Sequence, residues 1–132
     1  MLTITKDVFE AMLAHCLMEA PIEACGLLGG IFPLADLFYP LRNLDRSETR
    51  YNADPGDLIR ADQDLRAREA NLLAIYHSHP RSRPIPSQAD LAMNYHDDLP
   101  RIIVSLLSDP PEVRTWRLSA TTFEELPWRI EK

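Results

Sequence analysis

Tyr76-His77-Ser78-His79-Pro80-Arg81-Ser82-Arg83-Pro84-Ile85-Pro86-Ser87-Gln88-Ala89-Asp90 is the stretch on which the reading of the chain turns. It is entered from Leu72-Leu73-Ala74-Ile75, an aliphatic run whose length and composition predict a buried strand rather than a helix. His77 and His79 then stand at the strand's exit. Residues two apart on a strand project from one face with Cα atoms roughly 7 Å apart, so the two imidazoles can converge on one ion. Pro80, Pro84 and Pro86 stiffen the loop that follows. Ser87 is placed to cap a helix over 88–95, with Asp90 in its first turn, where a carboxylate also suits the positive end of the helix dipole. Two histidines and one carboxylate leave the fourth position of a Zn²⁺ open to water, which is the arrangement of a catalytic zinc.

Each piece alone has an ordinary explanation. A strand end can carry two solvated histidines, and Ser-x-x-Asp is more often a capping box than part of a ligand set. The assembled string is far more specific: His77-x-His79, seven residues, Ser87, two residues, Asp90. In spacing and residue type it resembles the JAMM motif of the Mov34/MPN/PAD-1 metallopeptidases. Those enzymes also carry a glutamate shortly before a Cys-Gly-hydrophobic strand, and Pro21-Ile22-Glu23-Ala24-Cys25-Gly26-Leu27-Leu28 puts Glu23 in the matching place. Without the downstream motif, Glu23 would read as an exposed carboxylate at a helix exit.

The resemblance runs from about Lys6 to Leu118, and it carries several expectations. The fold it implies is α/β, a mixed β-sheet flanked by helices in an α-β-α sandwich of the cytidine deaminase-like kind. His77, His79 and Asp90 would hold one Zn²⁺ per chain. Glu23 would take a proton from the attacking water and pass it to the departing amine, and Ser87 would donate a hydrogen bond to the oxyanion. The implied substrate is a peptide or isopeptide bond at the C-terminus of a ubiquitin-like or sulfur-carrier protein. Only ten residues separate Asp90 from Arg101, which leaves no room for the long insertions of eukaryotic deubiquitinases and points to the compact prokaryotic type. The alternative is a non-catalytic MPN scaffold that mediates protein–protein interaction, although such members usually lose the ligands present here. The His-x-Glu and Pro-Cys-x-x-Cys elements of zinc deaminases and the His-Glu-x-x-His helix of zincins are absent from the chain.

Bulk properties agree with such a reading. A length of 132 residues suits one domain, 1–132, and 45% hydrophobic with 26% charged residues is the composition of a globular protein. The net charge of −6 speaks against a nucleic-acid partner, which needs clustered Lys and Arg. No apolar stretch is long enough to span a bilayer and no secretory leader precedes the first helix, so the expected location is the cytoplasm, with no membrane partner. Cys16 and Cys25 are too few for a Cys₄ zinc knuckle and read as small buried hydrophobes. The oligomeric state is left open.

Taken in order, Thr5 caps a predicted helix over 6–19 with Phe9, Leu13, Cys16, Leu17 and Ala20 on its inner face, and His15 at the core edge or in solvent. A strand over 25–31, whose glycines predict close backbone approach or a bulge, forms a hairpin with a strand over 35–41 through Pro33. After a polar loop over 42–51, Asp54 and Pro55 open a second helix expected to reach about 71, with Leu58, Ala61, Leu65 and Leu72 inward. Strands are predicted over 101–107 and 112–118, the latter with Trp116 in the core, and one more around Phe123. Arg81 and Arg83 read first as solvated loop residues and second as contacts for an acidic carrier.

Overall fold

The computed structural model describes residues 1–92 and 98–131. The chain begins with β1 (Leu2–Thr5) and α1 (Lys6–Glu19), followed by the hairpin β2 (Cys25–Ile31) and β3 (Leu34–Leu41). Next come α2 (Pro55–Ala67), β4 (Asn71–His79), α3 (Gln88–Ala92), β5 (Arg101–Ser105), β6 (Glu112–Leu118), β7 (Phe123–Leu126) and β8 (Trp128–Glu131). All eight strands form one mixed sheet in the order β7-β6-β5-β4-β2-β3-β1-β8. β7 and β8 lie at opposite ends of that order yet are joined by Pro127 alone. The two edges must therefore meet, and the sheet curls on itself.

α1 packs one side against one face of the curled sheet. Val8, Met12 and Cys16 of the helix are buried with Leu2 and Ile4 of β1, Leu28, Ala35, Ala74, Tyr76, Ile102 and Val104, and Trp128 of β8 packs against the same cluster. Complete burial of an apolar side chain such as Met12 contributes about 1.5–3 kcal/mol. The other face of the sheet carries a second cluster, Cys25, Leu27, Leu41 and Ile75, which α2 covers with Ala61. Because side chains alternate along a strand, β4 sends Ala74 and Tyr76 toward α1 and Ile75 and His77 toward the α2 face. Tyr76 leaves no space above Gly26, its partner on β2: a Cβ there would lie 2.2 Å from the tyrosine ring. A register shift at Gly29–Gly30 confirms the bulge expected from the paired glycines.

Several expectations need correction. β1 was not anticipated, because four residues carry too little periodicity, and it is held by parallel pairing to β3 and β8 from distant parts of the chain. Of the expected inner face of α1, Cys16 is buried and Phe9 and Leu13 pack against the core, but Leu17 is 55% exposed and Ala20 is exposed, and Val8 and Met12 are buried in addition. α2 ends at Ala67 rather than near 71, with Glu69 in a left-handed conformation just beyond it, and Leu58 is 38% exposed rather than in the core. β5 stops at Ser105, short of 107, and the C-terminal segment supplies two strands where one was expected. The residues of the Ser87-capped helix beyond Ala92, and His96 with them, lie outside the described residues. No helix among the described residues is long and apolar enough to cross a membrane.

Candidate active site

β4 places His77 and His79 on one face, at its last turn of pleat before the loop. That loop is short of hydrogen-bonding regularity but pinned to the sheet at several points. The Ser105 hydroxyl donates to the Ser82 carbonyl at 2.7 Å, the Trp116 indole N–H donates to the Pro84 carbonyl at 2.9 Å, and Ile85 and Leu91 pack on Ile103, Trp116 and Leu118. The chain thus returns rigidly to α3. There Ser87 and Asp90 exchange hydrogen bonds: the Ser87 N–H donates to Asp90 Oδ2 at 2.9 Å, and the Asp90 N–H donates to Ser87 Oγ at 3.1 Å. This is the reciprocal logic of a capping box, and it fixes the carboxylate.

Asp90 faces both histidines. Its Oδ1 lies 3.0 Å from His77 Nε2, its Oδ2 lies 3.1 Å from His79 Nε2, and the two Nε2 atoms are 3.2 Å apart. All three residues are buried. Their ligand atoms lie within 4.8 Å of one another, the one such group of three among the described residues. Burial opposes ionisation of Asp90, but the imidazoles of His77 and His79 and the Ser87 N–H outweigh it and hold the carboxyl well below the usual range. For His79, burial would lower the pKa, yet Asp90 and the Arg83 carbonyl prevail and raise it.

The two histidines are held by different means. His79 Nδ1 lies 2.7 Å from the Arg83 carbonyl, which can only accept, so Nδ1 carries a proton and Nε2 is the nitrogen turned toward Asp90 and His77. His77 Nδ1 is buried with no hydrogen-bond partner. Its ring is oriented by packing, with the Tyr51 ring 5.0 Å away at 33° and the His79 ring 5.0 Å away at 58°. Two imidazole nitrogens and one anionic carboxylate, buried and convergent, suit Zn²⁺ in donor type and leave coordination to spare.

Glu23 enters from the segment between α1 and β2. It is buried, and its Oε1 has no hydrogen-bond partner. Burial and the nearby Asp90 charge push its carboxyl up to about 8, against the opposing pull of His79. Glu23, His79 and Ser87 line one cleft of about 230 Å³ together with Glu48, Thr49, Arg81 and Ser82. Arg81 is ion-paired with Glu48 across this cleft at 3.2 Å, and both are largely solvated. On the other side of the cluster, Tyr51, Arg50, Ala89 and Arg101 close around His77 and Asp90 in a narrow crevice. The structure therefore brings His77, His79 and Asp90 into contact and sets Glu23 and Ser87 along the same cleft. Tyr51 was missed at the sequence level, where it was one residue of a polar loop; no spacing links it to His77.

A buried metal-type cluster at the rim of a curled mixed sheet, with a carboxylate of raised pKa beside it, is the layout of a metallohydrolase. Residues 5–119 match the family described as prokaryotic homologs of the JAB domain, and the chain belongs to that family. It is 30% identical over 133 residues to the CysO-cysteine peptidase of Mycobacterium tuberculosis, covering 98% of this chain and 90% of that one. It is 40% identical over 91 residues to a probable TtuB-protein conjugate cleaving protease of Thermus thermophilus, covering 68% and 61%. Among solved structures, a Desulfitobacterium hafniense protein determined in solution shares the fold with a TM-score of 0.91 at 32% identity, covering 100% of this chain and 94% of that one.

Proposed function

We propose that the chain is a zinc-dependent peptidase in which His77, His79 and Asp90 hold the metal, Glu23 is the general base and Ser87 stabilises the oxyanion. The observation that carries this reading is the convergence of the three ligand side chains beside a cleft that Glu23 and Ser87 share. Bound zinc supplies Lewis acidity, lowering the pKa of water from about 15.7 to about 7 and polarising a carbonyl.

The protein's own groups divide the remaining work. The Glu23 carboxylate, with Oε1 buried and uncommitted, accepts the proton of the attacking water and returns it to the leaving amine. Burial and the Asp90 charge raise the Glu23 carboxyl above the ordinary carboxylate range, which makes it a stronger base toward the water proton than a solvated glutamate. The Ser87 hydroxyl oxygen accepts from the Asp90 N–H, so its own proton remains to be donated to the oxyanion. The His79 Nδ1–H bond to Arg83 keeps Nε2 directed at the metal position.

The substrate is the C-terminal junction of a ubiquitin-like or sulfur-carrier protein, a reading supported by relatives named for CysO-cysteine and for TtuB-protein conjugates. Both cysteines are free, which fits the reducing cytoplasm. The test is incubation of zinc-loaded protein with two carriers: one extended beyond its C-terminal Gly-Gly by a single amino acid, and one joined to lysine through an isopeptide bond. Mass spectrometry should show cleavage at the glycine carbonyl of at least one, abolished by chelator and by Glu23→Gln. Loaded protein that leaves both intact would return the scaffold alternative.

A further inference from the structure

The Glu23 side chain finds no hydrogen-bond partner at Oε1, so what aims it is its backbone. That backbone is gripped from two sides. From β4, the Ser78 hydroxyl accepts from the Ala24 N–H at 2.8 Å, and the Ser78 N–H donates to the Ala24 carbonyl at 3.0 Å. From the 43–53 loop, the Ser47 carbonyl accepts from the Glu23 N–H at 2.9 Å, and the Asn43 side-chain amide donates to the Glu23 carbonyl at 3.1 Å.

Asn43 does more than make that one contact. Its Nδ2 also donates to the Arg50 carbonyl at 3.0 Å, while its Oδ1 accepts from the Asp45 N–H at 3.1 Å and the Asn52 N–H at 3.0 Å. Both donors and both acceptors of the amide are used, which is the full capacity of an asparagine side chain. One side chain therefore ties together both arms of the loop, whose stem is a bridge between Asn43 and Ala53, and ties the loop to Glu23. The same loop supplies Ser47 to the Glu23 N–H. Aspartate has the acceptors without the donors, and alanine has neither.

We infer that Asn43 is a positioning residue for the reaction: it sets the orientation of Glu23 through the 43–53 loop, and its side-chain amide bonds only to backbone groups. The inference rests on the reading of Glu23 as general base. His77, His79 and Asp90 are carried by β4 and α3, and among the described residues the loop reaches them through the Tyr51 ring on His77 alone, so loss of the Asn43 amide misaims the base while zinc-loaded protein keeps its metal. A displacement of the order of 1 Å at a reacting group can cost about 100-fold in rate.

The experiment compares Asn43→Ala, Asn43→Asp and Glu23→Gln, each zinc-loaded, in steady-state cleavage of the carrier substrate, with metal content and thermal unfolding measured in parallel. For both Asn43 variants kcat falls about 10- to 100-fold, KM changes less than about 3-fold, and the zinc content stays that of the parent protein. The Asp variant keeps the loop-closing acceptors, so its unfolding midpoint stays nearer the parent's than that of the Ala variant. An unchanged kcat, a rise confined to KM, or loss of zinc in the Asn43 variants overturns the inference while Glu23→Gln remains inactive. A fully active Glu23→Gln overturns the general-base reading itself, and the inference with it.

Discussion

The proposed ligand cluster, which reaches the cleft through His79, and the seat of Glu23 beside it are built in opposite ways. His77, His79 and Asp90 come from one unbroken stretch of chain, and their supports are nearly all within it: the Arg83 carbonyl for His79, and the exchange of hydrogen bonds between Ser87 and Asp90. Glu23 is seated by Ser78, which lies in that stretch between the two histidines, and by Ser47 and Asn43 of the distant 43–53 loop, and its carboxylate is left without a partner at Oε1. Metal ligands need fixed separations, which a strand followed by a pinned loop can give by itself. A proton-transfer group needs a raised pKa, and that requires burial that only tertiary packing provides.

If the two regions are separable, their variants should separate too. The largest effects are expected at the cluster and the base. Asp90→Ala loses both metal and activity, whereas Glu23→Gln keeps the metal and loses about 10²- to 10⁴-fold in kcat. Loss of zinc from Glu23→Gln would show that the regions are one unit.

An intermediate effect is expected at Tyr51, which sharpens the comparison inside the cluster by testing a histidine oriented through ring packing. Tyr51→Ala should weaken zinc binding about 10-fold in a chelator competition and leave kcat at saturating zinc near the parent value. A drop in kcat with unchanged zinc affinity would instead move Tyr51 to the catalytic side.

The smallest effect lies behind the sheet. His15 Nδ1 is 2.7 Å from the Tyr76 hydroxyl on the α1 face, and burial lowers its pKa below the ordinary 6.5 against the opposing pull of Glu19. A lowered pKa means that the folded state favours neutral His15. Its contribution is then whole above pH 6.5 and is lost progressively as the pH falls from there through the lowered folded-state value. Denaturant midpoints of the parent and of His15→Gln, measured at pH 7.5 and 5.5, should show the parent losing more on acidification. Equal losses would remove His15 from the account.

The same division governs what the sequence disclosed. α1 and α2 begin where Thr5 and Asp54-Pro55 said they would, because caps act within a few residues, and the boundaries of β2 and β6 follow from their glycines and flanking turns. His77, His79 and Asp90 were legible as a spacing. β1 and β8 were not, since each is four residues long and is held by the other's parallel pairing. The end of α2 was overrun because Glu69, not a glycine, takes the left-handed conformation that follows it. Tyr51 and Asn43 stood in what read as a featureless polar loop. Their roles arise from contacts with His77 and Glu23, which lie far away in sequence and near only in the fold.

The most direct measurement is elemental analysis of purified, metal-replete protein beside His77→Ala and Glu23→Gln. About one zinc per chain is expected in the parent and in Glu23→Gln, and none in His77→Ala. A parent protein that holds no zinc, or that holds it equally well without His77, would contradict the metal site on which the proposed chemistry depends.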